Sequence, residues 1–170
     1  MIFCYDKNLK LIQIDKTTNF ETASFLHLSN PMQNPVFHLA VPVNNLEKSR
    51  LFYHQVLGFE QGRSSDKWVD FNFFSHQFVI HHVEGYRANN HFNSVDKHDV
   101  PVPHYGAVLE WNQFWEFVER LKSQNVEFQI EPYIRFKGKV GEQATMFFYD
   151  PSGNALEFKA FKDINQLFAT

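Results

Sequence analysis

The chain has 170 residues, 44% of them hydrophobic and 17% aromatic, with 20 Phe, which is ample material for one domain or two small modules sharing a core. A net charge of −3 without long basic runs argues against nucleic acid or an anionic membrane surface as a partner. The single cysteine, Cys4, excludes an intrachain disulfide and a cysteine-built zinc site. No apolar run reaches bilayer length or follows a basic start, so a cytoplasmic protein is expected.

Residues 1–34 read as an N-terminal extension. Leu9 to Ile14 fits one strand, and Phe20, Phe25 and Leu26 need burial, which points to an extension packed across the domain. The pattern sharpens at Pro35. Residues 36–43 form an apolar strand carrying His38. Asn44 is the expected cap of the next helix, with Glu47 three residues on as a capping box. Leu46, Tyr53, Val56 and Leu57 give that helix one apolar stripe, and Gly58 ends it. Three strands are expected at about 59–63, 67–74 and 77–83, separated by Ser64-Ser65-Asp66 and Ser75-His76.

Residues 84–102 are polar and aperiodic, which predicts a linker or an active-site loop. The unit then recurs over 103–161. A strand at 103–110 carries His104, and a helix capped by Asn112 buries Phe114, Phe117, Val118 and Leu121. Strands follow at about 127–136, 140–149 and 154–161, with turns at Lys137-Gly138-Lys139 and Asp150-Pro151-Ser152-Gly153. Residues 162–170 are a C-terminal tail. The fold class is therefore α+β: a first βαβββ module over 35–83 and a second over 103–161. Each unit covers one sheet face, so the two must pack or pair.

Two imidazoles, His38 and His104, and one carboxylate, Glu157, sit on three apolar strands. Two His and one carboxylate on one face suit a divalent metal with open positions, as ferrous oxygenases need, or a Lewis-acid site. Each also has a plainer reading. A histidine on an apolar strand can simply bond to backbone, and Glu157 can point outward beside Lys159. His81 and His82 end the first unit where Glu157 sits in the second. His81 is the candidate catalytic residue, as general base or hydrogen-bond donor to substrate, or a fourth ligand. His91 and His98 read as solvated; His27, His54 and His76 read as structural. Trp68, Phe71, Phe73, Phe147 and Tyr149 read mainly as core.

The runs FHLAVPV with LEKSRLFYHQVLGF, HYGAVL, and MFFYDPSGNALEFKAF resemble the vicinal oxygen chelate superfamily of glyoxalases, extradiol dioxygenases, fosfomycin-resistance enzymes and bleomycin-binding proteins. The resemblance covers about 35–161, and the DPSGN turn before a Leu-Glu-Phe strand is its most specific part. It implies paired βαβββ modules with curled mixed sheets around a central cavity, and it carries metal-ligand roles onto His38, His104 and Glu157. Three ligands in that pattern are similar to the extradiol dioxygenase and fosfomycin-enzyme arrangements, and a histidine where glyoxalases place a fourth ligand weakens the glyoxalase reading; the leading expectation is dioxygenase-type chemistry on a small substrate chelated through adjacent oxygens, with Fe(II) or Mn(II) favoured and Zn, Ni or Co open. Non-redox isomerase, lyase or thiol-transferase chemistry, and a drug- or metabolite-binding protein, are the alternatives. A homodimer is expected, with the modules closing within one chain or exchanging between two.

Overall fold

The computed structural model describes residues 3–5, 11–13 and 35–169. Contacts divide the chain into two units, Met1–Pro35 and Val36–Thr170. In the first, β1 (Phe3–Tyr5) pairs antiparallel with β2 (Leu11–Gln13), the middle of the expected 9–14 strand. Phe20, Phe25 and Leu26 lie outside the described residues.

The second unit contains the repeat. Its first half is β3 (His38–Val43), helix α1 (Leu46–Leu51), which widens into a π turn over Phe52–Val56, then β4 (Glu60–Ser64), β5 (Trp68–Phe73) and β6 (His76–His82). A hairpin follows, β7 (His91–Val95) and β8 (His98–Val102). The second half is β9 (His104–Leu109), α2 (Trp111–Ser123), β10 (Phe128–Arg135), β11 (Gln143–Tyr149) and β12 (Ala155–Phe161). The strand orders are equivalent, β3-β6-β5-β4 and β9-β12-β11-β10. In each sheet the first and last strands of the unit run parallel and the rest antiparallel. The fold is α+β with two curled mixed sheets, and neither closes into a barrel.

Both helix caps differ from expectation. Asn45, not Asn44, caps α1, its side chain accepting from the Lys48 N–H at 2.9 Å. Asn44 is held elsewhere: its N–H donates to Ser152 Oγ, and its side-chain oxygen accepts from the same hydroxyl, each at 3.1 Å. Glu47 pairs with Arg50 at 3.4 Å rather than closing a capping box. Glu110 caps α2 by accepting from the Asn112 N–H at 3.0 Å, so Asn112 lies inside the first turn.

The 84–102 stretch is not structureless. The β7–β8 hairpin turns through Asp96 and Lys97, at φ of 50° and 67°. Two left-handed residues in succession match the right-handed twist of paired strands, and aspartate tolerates that conformation.

Alternation along the strands decides where the core sits. Val41 and Val43 of β3, Phe78 and Ile80 of β6, Leu109 of β9, and Leu156, Phe158 and Ala160 of β12 face one way and are buried. The helices add Tyr53 and Leu57, then Phe114, Val118 and Leu121. Ring contacts join the halves: Phe78 to Tyr105 at 5.5 Å, Phe73 to Phe158 at 6.1 Å and Phe52 to Phe148 at 6.4 Å. The two sheets therefore share one core. A fully buried side chain of this kind contributes about 1.5–3 kcal/mol.

Polar groups pin the junction. The Tyr53 hydroxyl donates to Asp150 Oδ2 at 2.8 Å and lies 2.7 Å from the Tyr105 hydroxyl. The Asn154 amide donates to the Pro42 carbonyl at 3.0 Å. Burial pushes both phenols well above their ordinary range, so they stay protonated. Among the described residues, no helix is long and apolar enough to cross a membrane.

Candidate metal centre

The core-facing residues of each sheet leave the alternate residues on the opposite face. On β9 and β12 these are His104, Gly106 and Val108, beside Glu157 and Lys159. The two strands run parallel with Glu157 opposite Gly106. A Cβ on Gly106 would stand 1.5 Å from the Glu157 carbonyl oxygen, so only glycine allows this approach.

Here His104 Nε2 lies 3.1 Å from Glu157 Oε2. The other ring nitrogen, Nδ1, is 2.7 Å from the Pro101 carbonyl at the end of β8. A carbonyl can only accept, so Nδ1 carries hydrogen and Nε2 is the nitrogen turned to the carboxylate. Phe147 packs edge-on to the imidazole, centroids 5.2 Å apart. Thr145 Oγ1 donates to Glu157 Oε1 at 2.8 Å, and Lys159 Nζ lies 3.0 Å from Oε2. Glu157 is only 8% exposed and Thr145 only 1%.

Burial by itself would raise the Glu157 carboxyl. His104, Lys159 and Thr145 outweigh it, and the net shift is downward. The hydrogen bond to Glu157 is the main reason the His104 imidazole is raised, against burial and Lys159, which lower it. The pair thus holds a proton between Nε2 and Oε2. Two donor atoms 3.1 Å apart also match two ligands on one divalent ion, with bonds of about 2.1 Å at a near right angle. The fixed tautomer, the anionic oxygen and the spacing all fit a metal.

His38 does not join this pair. It stands exposed on edge strand β3, its Nδ1 bonded to Gln77 at 2.8 Å. No three His, Cys, Asp or Glu side chains gather at a metal-binding distance among the described residues. The reason is the shared core: Val41 and Val43 point into it from one sheet, Leu156 and Phe158 from the other, so the two imidazole-bearing faces turn away from each other. His81 is exposed on β6, opposite Pro42 in register. Its backbone is paired within the sheet, and its side chain forms no hydrogen bond or ion pair among the described residues.

Some histidines behave as expected. His54 Nδ1 lies 2.9 Å from the Phe59 carbonyl, and His76 Nδ1 accepts from the Phe37 N–H. His91 is exposed, and His27 lies outside the described residues. His98 is not simply solvated: its ring packs tilted against Tyr133, centroids 4.7 Å apart, while Asp96 at the hairpin tip pairs with Arg135 at 2.6 Å. Sequence reasoning also missed Thr145 and the Pro101 carbonyl, and placed Lys159 only beside an outward-pointing Glu157. The spacing Glu157-x-Lys159, two residues along one strand, was the available signal, since such residues share a face.

A family model described as the Glyoxalase/Bleomycin resistance protein/Dioxygenase superfamily matches residues 36–158, the whole of the repeat up to the middle of β12. The chain belongs to this superfamily. Among solved structures, a glyoxalase/bleomycin resistance protein/dioxygenase from Alicyclobacillus acidocaldarius is 29% identical, covers 83% of this chain and 100% of its own, and has a TM-score of 0.66. The genomically encoded fosfomycin resistance protein FosX of Listeria monocytogenes is 20% identical over 79% of this chain and 98% of its own, with a TM-score of 0.58. A lactoylglutathione lyase from Agrobacterium tumefaciens is 17% identical over 82% and 99%, with a TM-score of 0.55. The last two are similar to this superfamily member in fold. The superfamily includes enzymes, which supports enzymatic activity at that coarse level.

Proposed function

We propose that this protein is a metal-dependent enzyme of dioxygenase type, acting on a small substrate chelated through adjacent oxygens. The observation that carries the reading is the His104–Glu157 pair, 3.1 Å apart, with the imidazole tautomer fixed by Pro101. His104 and Glu157 would hold a divalent ion, Fe(II) or Mn(II) by preference, and His38 of a second copy would complete the set. When bound, such an ion supplies Lewis acidity and, if ferrous, a centre for dioxygen chemistry.

The chain's own residues do the rest. Pro101 keeps His104 Nε2 unprotonated whenever a cation replaces the proton there. Thr145 orients the carboxylate by holding Oε1. Phe147 keeps water from one side of the imidazole. Support for a second copy comes from the edges: β3 and β9, which carry His38 and His104, are both terminal strands of their sheets and leave one edge unpaired among the described residues. Exchange between two copies would make two equal sites, each with His38 from one chain and His104 with Glu157 from the other. His81 alternates with the core residues Phe78 and Ile80 and so shares the His38 face. It would enter with His38 and serve as proton shuttle.

Two experiments test this. The first is anaerobic ferrous reconstitution followed by oxygen uptake on a catechol panel. No uptake by metal-loaded protein would defeat the dioxygenase assignment, and turnover with Mn, Ni or Zn independent of oxygen would replace it with non-redox chemistry. The second mixes the His38→Ala and Glu157→Ala chains. Shared sites require each variant alone to lose tight metal binding and the mixed dimer to regain one metal per two chains. No regain would rule out exchange.

A further inference from the structure

A backbone carbonyl fixes the tautomer of His104, but His38 has no such partner. Its Nδ1 lies 2.8 Å from Gln77 Oε1, and Gln77 is its register partner on β6. An amide alone does not choose a tautomer, because turning it end for end exchanges acceptor for donor. Gln77 is not free to turn. Its Nε2 donates to Asp70 Oδ2 at 3.4 Å. A carboxylate can only accept, so the amide nitrogen faces Asp70 and the amide oxygen faces His38. The His38 Nδ1 therefore carries the hydrogen, and Nε2 keeps its lone pair.

Asp70 stands where a carboxylate is costly. It lies between Val69 and Phe71 of β5, both in the core, and so points to the opposite face, the one that carries Gln77 and His38. Asn72 pairs with Gln77 and Asp70 with Val79, which makes Asp70 the diagonal neighbour of Gln77. It is only 8% exposed. Arg63 lies 3.3 Å from the same Oδ2, but the Arg63 side chain is 80% exposed, and such a pair contributes little. Among the described residues the Asp70 side chain has no further hydrogen bond or ion pair. Stability alone does not account for a carboxylate buried on these terms. What it provides is direction, an acceptor that orders His38 through Gln77.

The two halves of the repeat thus reach one result by different means. Pro101 fixes His104, and a relay of two side chains fixes His38. Each imidazole carries hydrogen on Nδ1 and leaves Nε2 as the nitrogen that can bind a cation.

We propose that Asp70 and Gln77 are positioning residues that preset His38, with Nε2 bare, for a divalent cation. The inference rests on the shared-site reading above and deepens it by naming what holds its third ligand. Asp70 orients Gln77, Gln77 orients His38, and neither touches the metal.

The test reads the His38 tautomer directly, in the metal-free full chain. Long-range proton–nitrogen correlation NMR of histidine-labelled protein is recorded at a pH where imidazoles are neutral, and the His38 signals are identified by their loss in His38→Ala. Wild type should show Nδ1 protonated and Nε2 bare. Asp70→Ala releases the amide and Gln77→Leu removes it. In both, His38 should move toward the Nε2–H form that an unconstrained imidazole prefers. His104, held by Pro101, should keep its tautomer throughout, which shows that the variants are folded; if Asp70→Ala does not fold, Gln77→Leu carries the test. Calorimetry then measures Mn(II), which both variants should bind about tenfold more weakly than wild type. An Nε2–H form in wild type, or a His38 tautomer indifferent to the substitutions, would overturn the relay. A shifted tautomer with unchanged Mn(II) affinity would overturn its role toward the cation and leave the metal site standing. Wild type that shows the expected tautomer but binds no Mn(II) would instead remove the metal reading, and with it the purpose assigned to the relay.

Discussion

The sharpest test of the site is Glu157→Gln in metal-free protein. The wild-type carboxylate accepts from Lys159, from protonated His104 and from Thr145. Glutamine keeps the shape and an acceptor for Thr145 but loses both charge-assisted contacts. Each such contact contributes about 1.5–3 kcal/mol. Both donors are more than a quarter exposed and regain some solvation, so the expected net loss is about 2–4 kcal/mol. The pH dependence is the diagnostic part. The Glu157 carboxyl is lowered in the folded state, so its contribution is complete above the ordinary carboxyl range and is lost as pH falls through the lower folded value. The His104 imidazole is raised, so its contribution is complete below the ordinary imidazole range and is lost as pH rises through the higher folded value. Urea unfolding with chelator present, repeated across pH, should show a wild-type advantage that peaks between these ranges. It should vanish in acid and shrink partly in base, where the Lys159 contact remains. A constant difference between the two proteins at every pH would refute the assignment of the ion pair.

Other consequences follow from single contacts. Gly106→Ala forces β9 away from the Glu157 carbonyl; a stability loss of about 1–3 kcal/mol and weaker Mn(II) binding are expected by urea titration and calorimetry. Tyr53→Phe removes the donor to buried Asp150 and should cost about 1–3 kcal/mol in chemical denaturation, with no change in metal affinity. Asp96→Asn weakens the hold of the hairpin tip on Arg135, a partly exposed pair. Global stability should fall by less than about 1 kcal/mol, while amide exchange across 91–102 speeds up.

Much of the framework was legible from residue order. Alternation of Leu156, Phe158 and Ala160 with Glu157 and Lys159 marked β12, and the helical spacing of Phe114, Phe117, Val118 and Leu121 marked α2, because burial on one face imposes a period of its own. The duplicated unit was visible for the same reason. The 91–102 hairpin escaped because its turn is Asp96-Lys97, without the glycine that usually signals two left-handed residues. The cap of α1 escaped because Asn44 and Asn45 are locally equivalent, and only Ser152, more than a hundred residues away, engages the first and leaves the second to cap.

By itself the sequence determined the strands of the two repeated modules, the repeat and the identity of the chemical groups, since these depend on local periodicity and side-chain type. Only the tertiary structure decided which groups meet. Parallel pairing of β9 with β12 brings His104 to Glu157, and the approach depends on a glycine between them. The shared core turns His38 to a separate face, a consequence of how two sheets dock and of no spacing along the chain.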